Sequence, residues 1–512
     1  MRPFRGLDRF PLLIIALAAF FILGAAQTPV SSQPGVWSTP LRLSSENATA
    51  WFPDIAADST GRVHVAWAGG TVGYDLVLYT ASDDGVNWTK VNDIQALAQV
   101  SGGWSTRPAF LVDRQGYLNL SFVNDTLYYS RAPAANADSA NSWAPKVKIS
   151  GDQVAYFSRM IQDNQGILHI FYTENQPALN CSQCYHLYYR SSADNGQTWT
   201  TRTDISQIPL GVVKPQAISD EKGDIFVVWE AGVGGGLGQL QDPTSVMFVA
   251  SYNDGKTWSN PITLSPQKVE MAKDITIAKD RKGNLIVAWL AIPDNVVNYQ
   301  VSSDDGRTWS DPQIIPGVFG SWTVYQSRLD DYSMAVDSSG IVHLVLVGLL
   351  SQNQAGLDLI HLNWDGTGWS KPDVIARYDG DAPEWPRIAI SNGNVLNTVW
   401  FVRDKANIFN SDNGHYQIFF SRLITNAPPI PTVIPTYQPL QTATAATDLL
   451  PDTIQPIPTI SAPVVPTLLP NETSSSNVIY SENDYLKVLA KSLIPMVLFI
   501  VVSGIIILWR RR

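Results

Sequence analysis

Apolar and polar positions alternate in short runs bounded by Gly, Asp and Asn, which marks brief strands joined by turns rather than helices. Val63-His64-Val65-Ala66-Trp67 is one run, entered from Asp58-Ser59-Thr60-Gly61. The same Asp-x-x-Gly turn before an apolar run returns at Asp113/Gly116, Asp163/Gly166, Asp220/Gly223, Asp280/Gly283 and Asp337/Gly340, with a weaker form at Asn392-Gly393 ahead of Val399-Trp400. Six residues after each Gly stands Trp67, Phe122, Tyr172, Trp229 or Trp289, with Leu346 as the exception. The glycines recur every 50 to 60 residues, the length of one four-stranded propeller blade.

A second pattern, Ser-x-Asp-x-Gly-x-Thr-Trp, is complete at Ser192 to Trp199 and at Ser302 to Trp309. Ala81 to Trp88 and Ser251 to Trp258 depart at one or two positions, Asn363 to Trp369 is one residue short, and Ser130 to Trp143 carries an insertion. These are turn residues. Asp83, Asp194, Asn253 and Asp304 supply oxygens for turn N–H groups, Gly takes a positive φ, and Trp88, Trp199, Trp258 and Trp309 re-enter the sheet as apolar anchors. A third pattern, Trp-Ser-x-Pro, opens an outer strand at Trp258, Trp309 and Trp369, where Pro costs no ladder bond. Such strands stand at 37, 88, 143, 199, 258, 309 and 369. The first has no blade before it, and the last repeat, ending in Tyr416-Gln417-Ile418-Phe419-Phe420, has no outer strand of its own. The expectation is an all-β, seven-bladed β-propeller over 34–424, preferred to a six-bladed one, closed by the N-terminal strand.

The ends change the picture. Arg2, Arg5 and Arg9 precede an apolar run and then Gly24-Ala25-Ala26, which reads as a secretory signal over 1–26. Residues 425–485 are rich in Pro and Thr and read as a disordered stalk, 486–509 as a transmembrane helix, and 510–512 as a basic cytoplasmic tail. The expected location is the cell membrane, single-pass, with the propeller extracytoplasmic. A formal charge of −10 argues against nucleic acid as partner. In an oxidising exterior the chain's two cysteines, Cys181 and Cys184, favour a disulfide over an incomplete zinc site. His64, His169 and His343 share one repeat position in separate blades, so register explains them and no metal is expected. No cofactor is expected either.

The turn motif resembles the Asp box, or BNR repeat, of the sialidase-like (neuraminidase) β-propeller superfamily, over residues 36–423. That resemblance marks the fold specifically and function weakly, since the superfamily takes in glycosidases, lyases, lectins and non-catalytic propellers. Members with sialidase activity are implied to clamp a sugar carboxylate with arginines and to use a Tyr nucleophile assisted by Glu. Onto this chain they map as Arg107, Arg159, Arg328 and Arg387 for the clamp, Glu230 for the base, and Tyr325 or Tyr332 for the nucleophile. All lie in segments leading into first strands or out of second strands, the face opposite the Asp boxes. Trp51, Trp385, Glu174, Arg403 and Asp404 are binding candidates on the same face. A Phe-Arg-Ile-Pro motif is missing before the first blade, where Trp51-Phe52-Pro53-Asp54 stands. The preferred reading is a sialidase-like propeller that binds glycan or protein at the cell surface, with an exo-sialidase and a structural surface module as alternatives.

Overall fold

The computed structural model describes residues 35–71, 73–99, 106–177, 184–207, 211–232, 244–265, 271–320, 330–404, 416–435 and 437. The expected signal, the span at 486–509, Arg328, Tyr325 and Cys181 lie outside these residues. Among the described residues no helix is long and apolar enough to cross a membrane.

Among the described residues, seven antiparallel sheets of four strands each are arranged as blades. Their first strands are Trp51–Ala57, Ala109–Val112, Ala155–Gln162, Gly211–Ser219, Met271–Lys279, Ser333–Val336 and Ala382–Ser391. Each first strand packs on its neighbours around the ring and so lines the axis. Second strands are buried on both faces between adjacent blades, which is why Leu285–Ile292 reads as an unbroken apolar run. The seventh sheet is completed by Leu41–Arg42 from the N-terminus, paired with Phe420 and Phe419.

The Asp boxes explain why the repeat exists. Asp304 accepts the Thr308 N–H at 2.8 Å and its hydroxyl at 2.6 Å, while the Ser302 hydroxyl takes the Gly306 N–H. Asp194 does the same for Thr198. Asn253 accepts the Thr257 N–H at 2.8 Å with its amide oxygen. In blade 1 the turn carboxylate is Asp84 rather than the expected Asp83. Ser82 caps Gly85 three residues on instead of four, and Asp84 takes the N–H groups of Val86 and Asn87. One left-handed residue is missing from that turn, so the motif slides by one, and Asp83 pairs instead with Arg62 at 2.8 Å.

Each box then wedges against the preceding blade. Trp199 meets the Tyr129 ring edge-on at 5.1 Å, Trp258 meets Tyr189 at 4.9 Å, and Trp309 meets Phe248 at 5.1 Å. Trp88 meets Phe420 at 4.8 Å across the closure. The Gly must be bare as well as left-handed, because a Cβ on Gly196 would stand 2.3 Å from Tyr129.

The three repeat histidines are structural links within their blades. His64 bridges Asp58 and the Tyr79 hydroxyl, His169 bridges Asp163 and the Tyr189 hydroxyl, and His343 bridges Asp337 and His361. Burial holds all three below the usual histidine range, so they are neutral at pH 7.

Residues 425–435 and 437, expected to begin a free stalk, instead run along the propeller face that carries the Asp-x-x-Gly turns. The Ile430 N–H donates to the Asn392 carbonyl and the Val433 N–H to that of Ser59. The segment is proline-rich and cannot add a sheet, but its remaining N–H groups still reach exposed carbonyls on those turns.

Candidate functional site

At the opposite face, the starts of the first strands share one irregularity. Phe52, Arg107, Lys214, Asp274 and Trp385 all have positive φ, between 38° and 57°. Strand register shifts beside four of them, between Trp51 and Asp54, Val213 and Gln216, Lys273 and Thr276, and Glu384 and Arg387. Pro follows at 53, 215 and 386, where a missing N–H is tolerated because a bulge has already broken the ladder, and at 108, just ahead of its strand. Left-handed backbone at a non-glycine residue is costly, and five such residues around one axis mark the place where the fold spends strain.

The bulges bring six blades to one recess. Its lining includes Phe52, Asp54, Arg107, Phe157, Arg159, Lys214, Gln216, Asp331, Trp385 and Arg387, around a narrow open volume of about 20 Å³. Four of these are cationic and two are carboxylates, with Lys214 taken up by Glu230 and Asp274 and Arg387 by Asp331. The Arg107 guanidinium stacks 3.6 Å from the centre of the Tyr156 ring, with Phe52 at 4.7 Å, and donates to the Tyr156 hydroxyl at 2.5 Å. Arg387 lies 4.2 Å over Trp385 and donates to Asp331 at 2.9 Å. Arg159 is the accessible one. Its side chain is 31% exposed, its nearest carboxylate is Asp54 at 3.9 Å, and its Nε has no hydrogen-bond partner among the described residues. Asp54 is instead engaged by the N–H groups of Ile55 and Phe110 at 3.0 and 2.7 Å.

Beneath the recess lies a closed charge cluster. Lys214 Nζ is 3.0 Å from Glu230 and 3.1 Å from Asp274, and also donates to the Asp330 carbonyl. Lys273 lies 3.3 Å from Asp274. The Asp274 N–H donates to Glu230, and the Trp385 N–H to Asp330. Burial pushes the Glu230 carboxyl up to about 7, against the pull of Lys214. Burial alone would lower Lys214, but Glu230 and Asp274 outweigh it and hold the ammonium charged. Asp330 is raised well above the usual range by burial and by Asp274, and Asp331 is raised by burial despite Arg387 and Lys214.

Of the residues expected from sequence, Arg107, Arg159, Arg387 and Trp385 meet at the recess. Glu230 is fully buried below it, bonded to Lys214. Tyr332 is buried in an apolar cluster with its hydroxyl unpartnered among the described residues, and burial raises it well above the usual tyrosine range. Glu174 sits away from the axis, held by Arg202 at 2.8 Å and by the Gly151 N–H. Arg403 holds the buried Glu384, and Asp404 lies just past that strand. Trp51 stacks on Tyr416 at 5.2 Å and does not line the recess. Cys184 is buried and disulfide-bonded. Asp54, Phe157, Gln216 and Asp331 were missed. The recurring Pro one place after an inward-facing residue was the signal that could have found their level.

A family model for the BNR repeat-like domain matches residues 134–393. The chain belongs to that family. No curated protein matches the sequence. Among solved structures, this BNR-repeat propeller resembles an ulvan lyase of a polysaccharide lyase family in complex with a chain of glucuronate and sulfated rhamnose, at 12% identity, 75% coverage of this chain and 97% of the other, and TM-score 0.50. It also resembles the NanB sialidase from Streptococcus pneumoniae, at 12% identity, 78% and 71% coverage, and TM-score 0.42. The intramolecular trans-sialidase from Ruminococcus gnavus gives 12% identity, 80% and 100% coverage, and TM-score 0.42. At such identities the likeness is one of fold.

Proposed function

We propose that this propeller binds an acidic glycan by a carboxylate at the recess, without turning it over, and that it does so outside the cytoplasm, tethered through residues 486–509. The observation that carries the reading is the convergence of Arg107, Arg159 and Arg387 on one recess, with Arg159 half-buried and no closer than 3.9 Å to a carboxylate. A carboxylate arriving there gains charge-assisted hydrogen bonds worth roughly 1.5–3 kcal/mol each. The low-dielectric walls of a narrow channel strengthen the local positive field. The glucuronate bound by the ulvan lyase is a ligand of the class meant.

The same three arginines favour an exo-glycosidase of sialidase type as a second reading. Against it, the described lining contains no tyrosine and no glutamate. Both readings are tested on the purified full chain with an array of neutral, uronate-bearing and sialylated glycans, and with a fluorogenic sialoside. Binding confined to acidic glycans and weakened at least about tenfold by Arg159→Ala, with no fluorophore release, is the expected result. Turnover that Arg159→Ala abolishes would replace binding with catalysis, and silence in both assays would leave a structural surface module.

A further inference from the structure

The ring is closed twice. The N-terminal strand pairs with the last strand over two residues only, Leu41 with Phe420 and Arg42 with Phe419. Flanking bonds from Gly35 to Ile424, Ser38 to Arg422 and Leu43 to Ile418 extend that latch. It holds blade 7 together and, because the chain runs on into Trp51–Ala57, also links blade 7 to blade 1.

On the face away from the recess, the chain leaves the last strand at Ile424 and crosses four blades in order. The Ser338 hydroxyl of blade 6 donates to the Pro428 carbonyl. The Ile430 N–H donates to Asn392 of blade 7 at 2.8 Å. Val433 and Ser59 of blade 1 are joined both ways, N–H to carbonyl at 2.7 Å and hydroxyl to carbonyl at 2.7 Å. Tyr437 accepts the Ala135 N–H of blade 2 at 3.1 Å and sets its ring edge-on to Tyr117 at 5.4 Å. We infer that residues 428–435, with Tyr437, are a clasp that straddles the seam of the ring, tying blades 6 and 7 on one side to blades 1 and 2 on the other.

Two features fit a built clasp. Pro428, Pro429, Pro431 and Pro435 hold the segment extended with no internal hydrogen bonds, so its N–H groups are free for the turns and little chain entropy is lost on docking. The turn glycines beneath it leave it room. A Cβ on Gly116 would stand 2.4 Å from Pro435 and one on Gly393 2.6 Å from Ile430. Tension on the C-terminal segment therefore loads the clasp before it reaches the two-residue latch, and the clasp ends on the face opposite the recess.

The test uses the full chain carrying Val433→Pro, which deletes the N–H donated to Ser59, together with Tyr437→Ala. Thermal melts and hydrogen exchange by mass spectrometry are the readouts. The expected result is a Tm lowered by several degrees and exchange across 35–44 faster by about tenfold, with a much smaller change at 211–219 in blade 4, far from the seam. Ile434→Ala, at a side chain 86% exposed, should change neither. Unchanged exchange across 35–44, or equal acceleration there and in blade 4, would overturn the clasp.

Discussion

Lys214 Nζ lies 3.0 Å from Oε1 of Glu230, and both side chains are all but sealed from solvent. Lys214 keeps Asp274 at 3.1 Å when Glu230 is removed, but the Asp274 N–H loses its acceptor. Glu230→Ala should therefore destabilise the protein by about 1–3 kcal/mol, read by urea unfolding. Glu230→Gln, which keeps an oxygen for Lys214 and the Asp274 N–H, should cost less.

The same carboxyl sets a pH dependence. An acid whose pKa rises on folding contributes stability that is complete below its unfolded value of 4.5 and is lost as the pH passes about 7. Relative to Glu230→Gln, the wild type should lose unfolding free energy steadily between those limits. A constant difference across that window would mean the carboxyl stays ionised in the folded state.

His361 takes the place that a tyrosine holds in blades 1 and 3, and it faces His343 at 3.0 Å. Burial, with His343 beside it, depresses His361 to about 3. A histidine depressed on folding contributes stability that is complete above 6.5 and drains away as the pH falls from 6.5 toward about 3. His361→Tyr should rebuild the His–Tyr bond of the other blades and flatten the fall in Tm between pH 6.5 and 5. An unchanged pH profile would place the sensitivity elsewhere.

Gly196 and Gly166 separate backbone strain from blade contact. Both have positive φ, but a Cβ would stand 2.3 Å from Tyr129 at Gly196 and 3.8 Å from its nearest neighbour at Gly166. Gly166→Ala should cost about 1–2 kcal/mol, the price of left-handed backbone alone. Gly196→Ala should cost clearly more in chemical denaturation. Equal losses would mean that Tyr129 yields without penalty.

The chain carries its own control for the Asp box, since Asn253 holds the same N–H that Asp194 and Asp304 hold. Asp194→Asn should be close to neutral and Asp194→Ala should cost roughly 1 kcal/mol. Hydrogen bonds from Thr308 hold the Asp304 carboxyl at about 2, so its contribution is present above 3.8 and drains away as the pH falls to about 2. Asp304→Asn should remove that part of the acid sensitivity in a pH titration of Tm.

The ring was legible in the sequence because each of its parts is repeated. Asp-x-x-Gly, the Asp box and Trp-Ser-x-Pro return at fixed distance, and the odd strand at Trp37 has one place to go. The recess was legible only in part. Arg107, Arg159 and Arg387 stand out as charges near strand starts, but alternation fails at a bulge, so spacing could not tell that Asp54 and Asp331 turn inward while Glu174 and Arg403 pair off outside. Asp83 was mistaken for Asp84 for a similar reason, since a turn shortened by one left-handed residue keeps its letters and shifts its register. The clasp was read as a loose stalk because proline-rich sequence has the same look whether it is solvated or docked.

Closure by the N-terminal strand has a cost in time. Ser38 and Ser421 share a hydrogen bond across 383 positions of chain. At about 5–20 residues per second, synthesis keeps those partners apart for roughly 20 to 75 s. For that interval the chain's first strand has nothing to pair with, and each blade already made presents an open flank to any neighbouring chain. The ring is thus most exposed to misassembly while it is being born, and its final stretch of synthesis delivers both fasteners, the strand that receives Leu41 and the clasp that follows it, almost together.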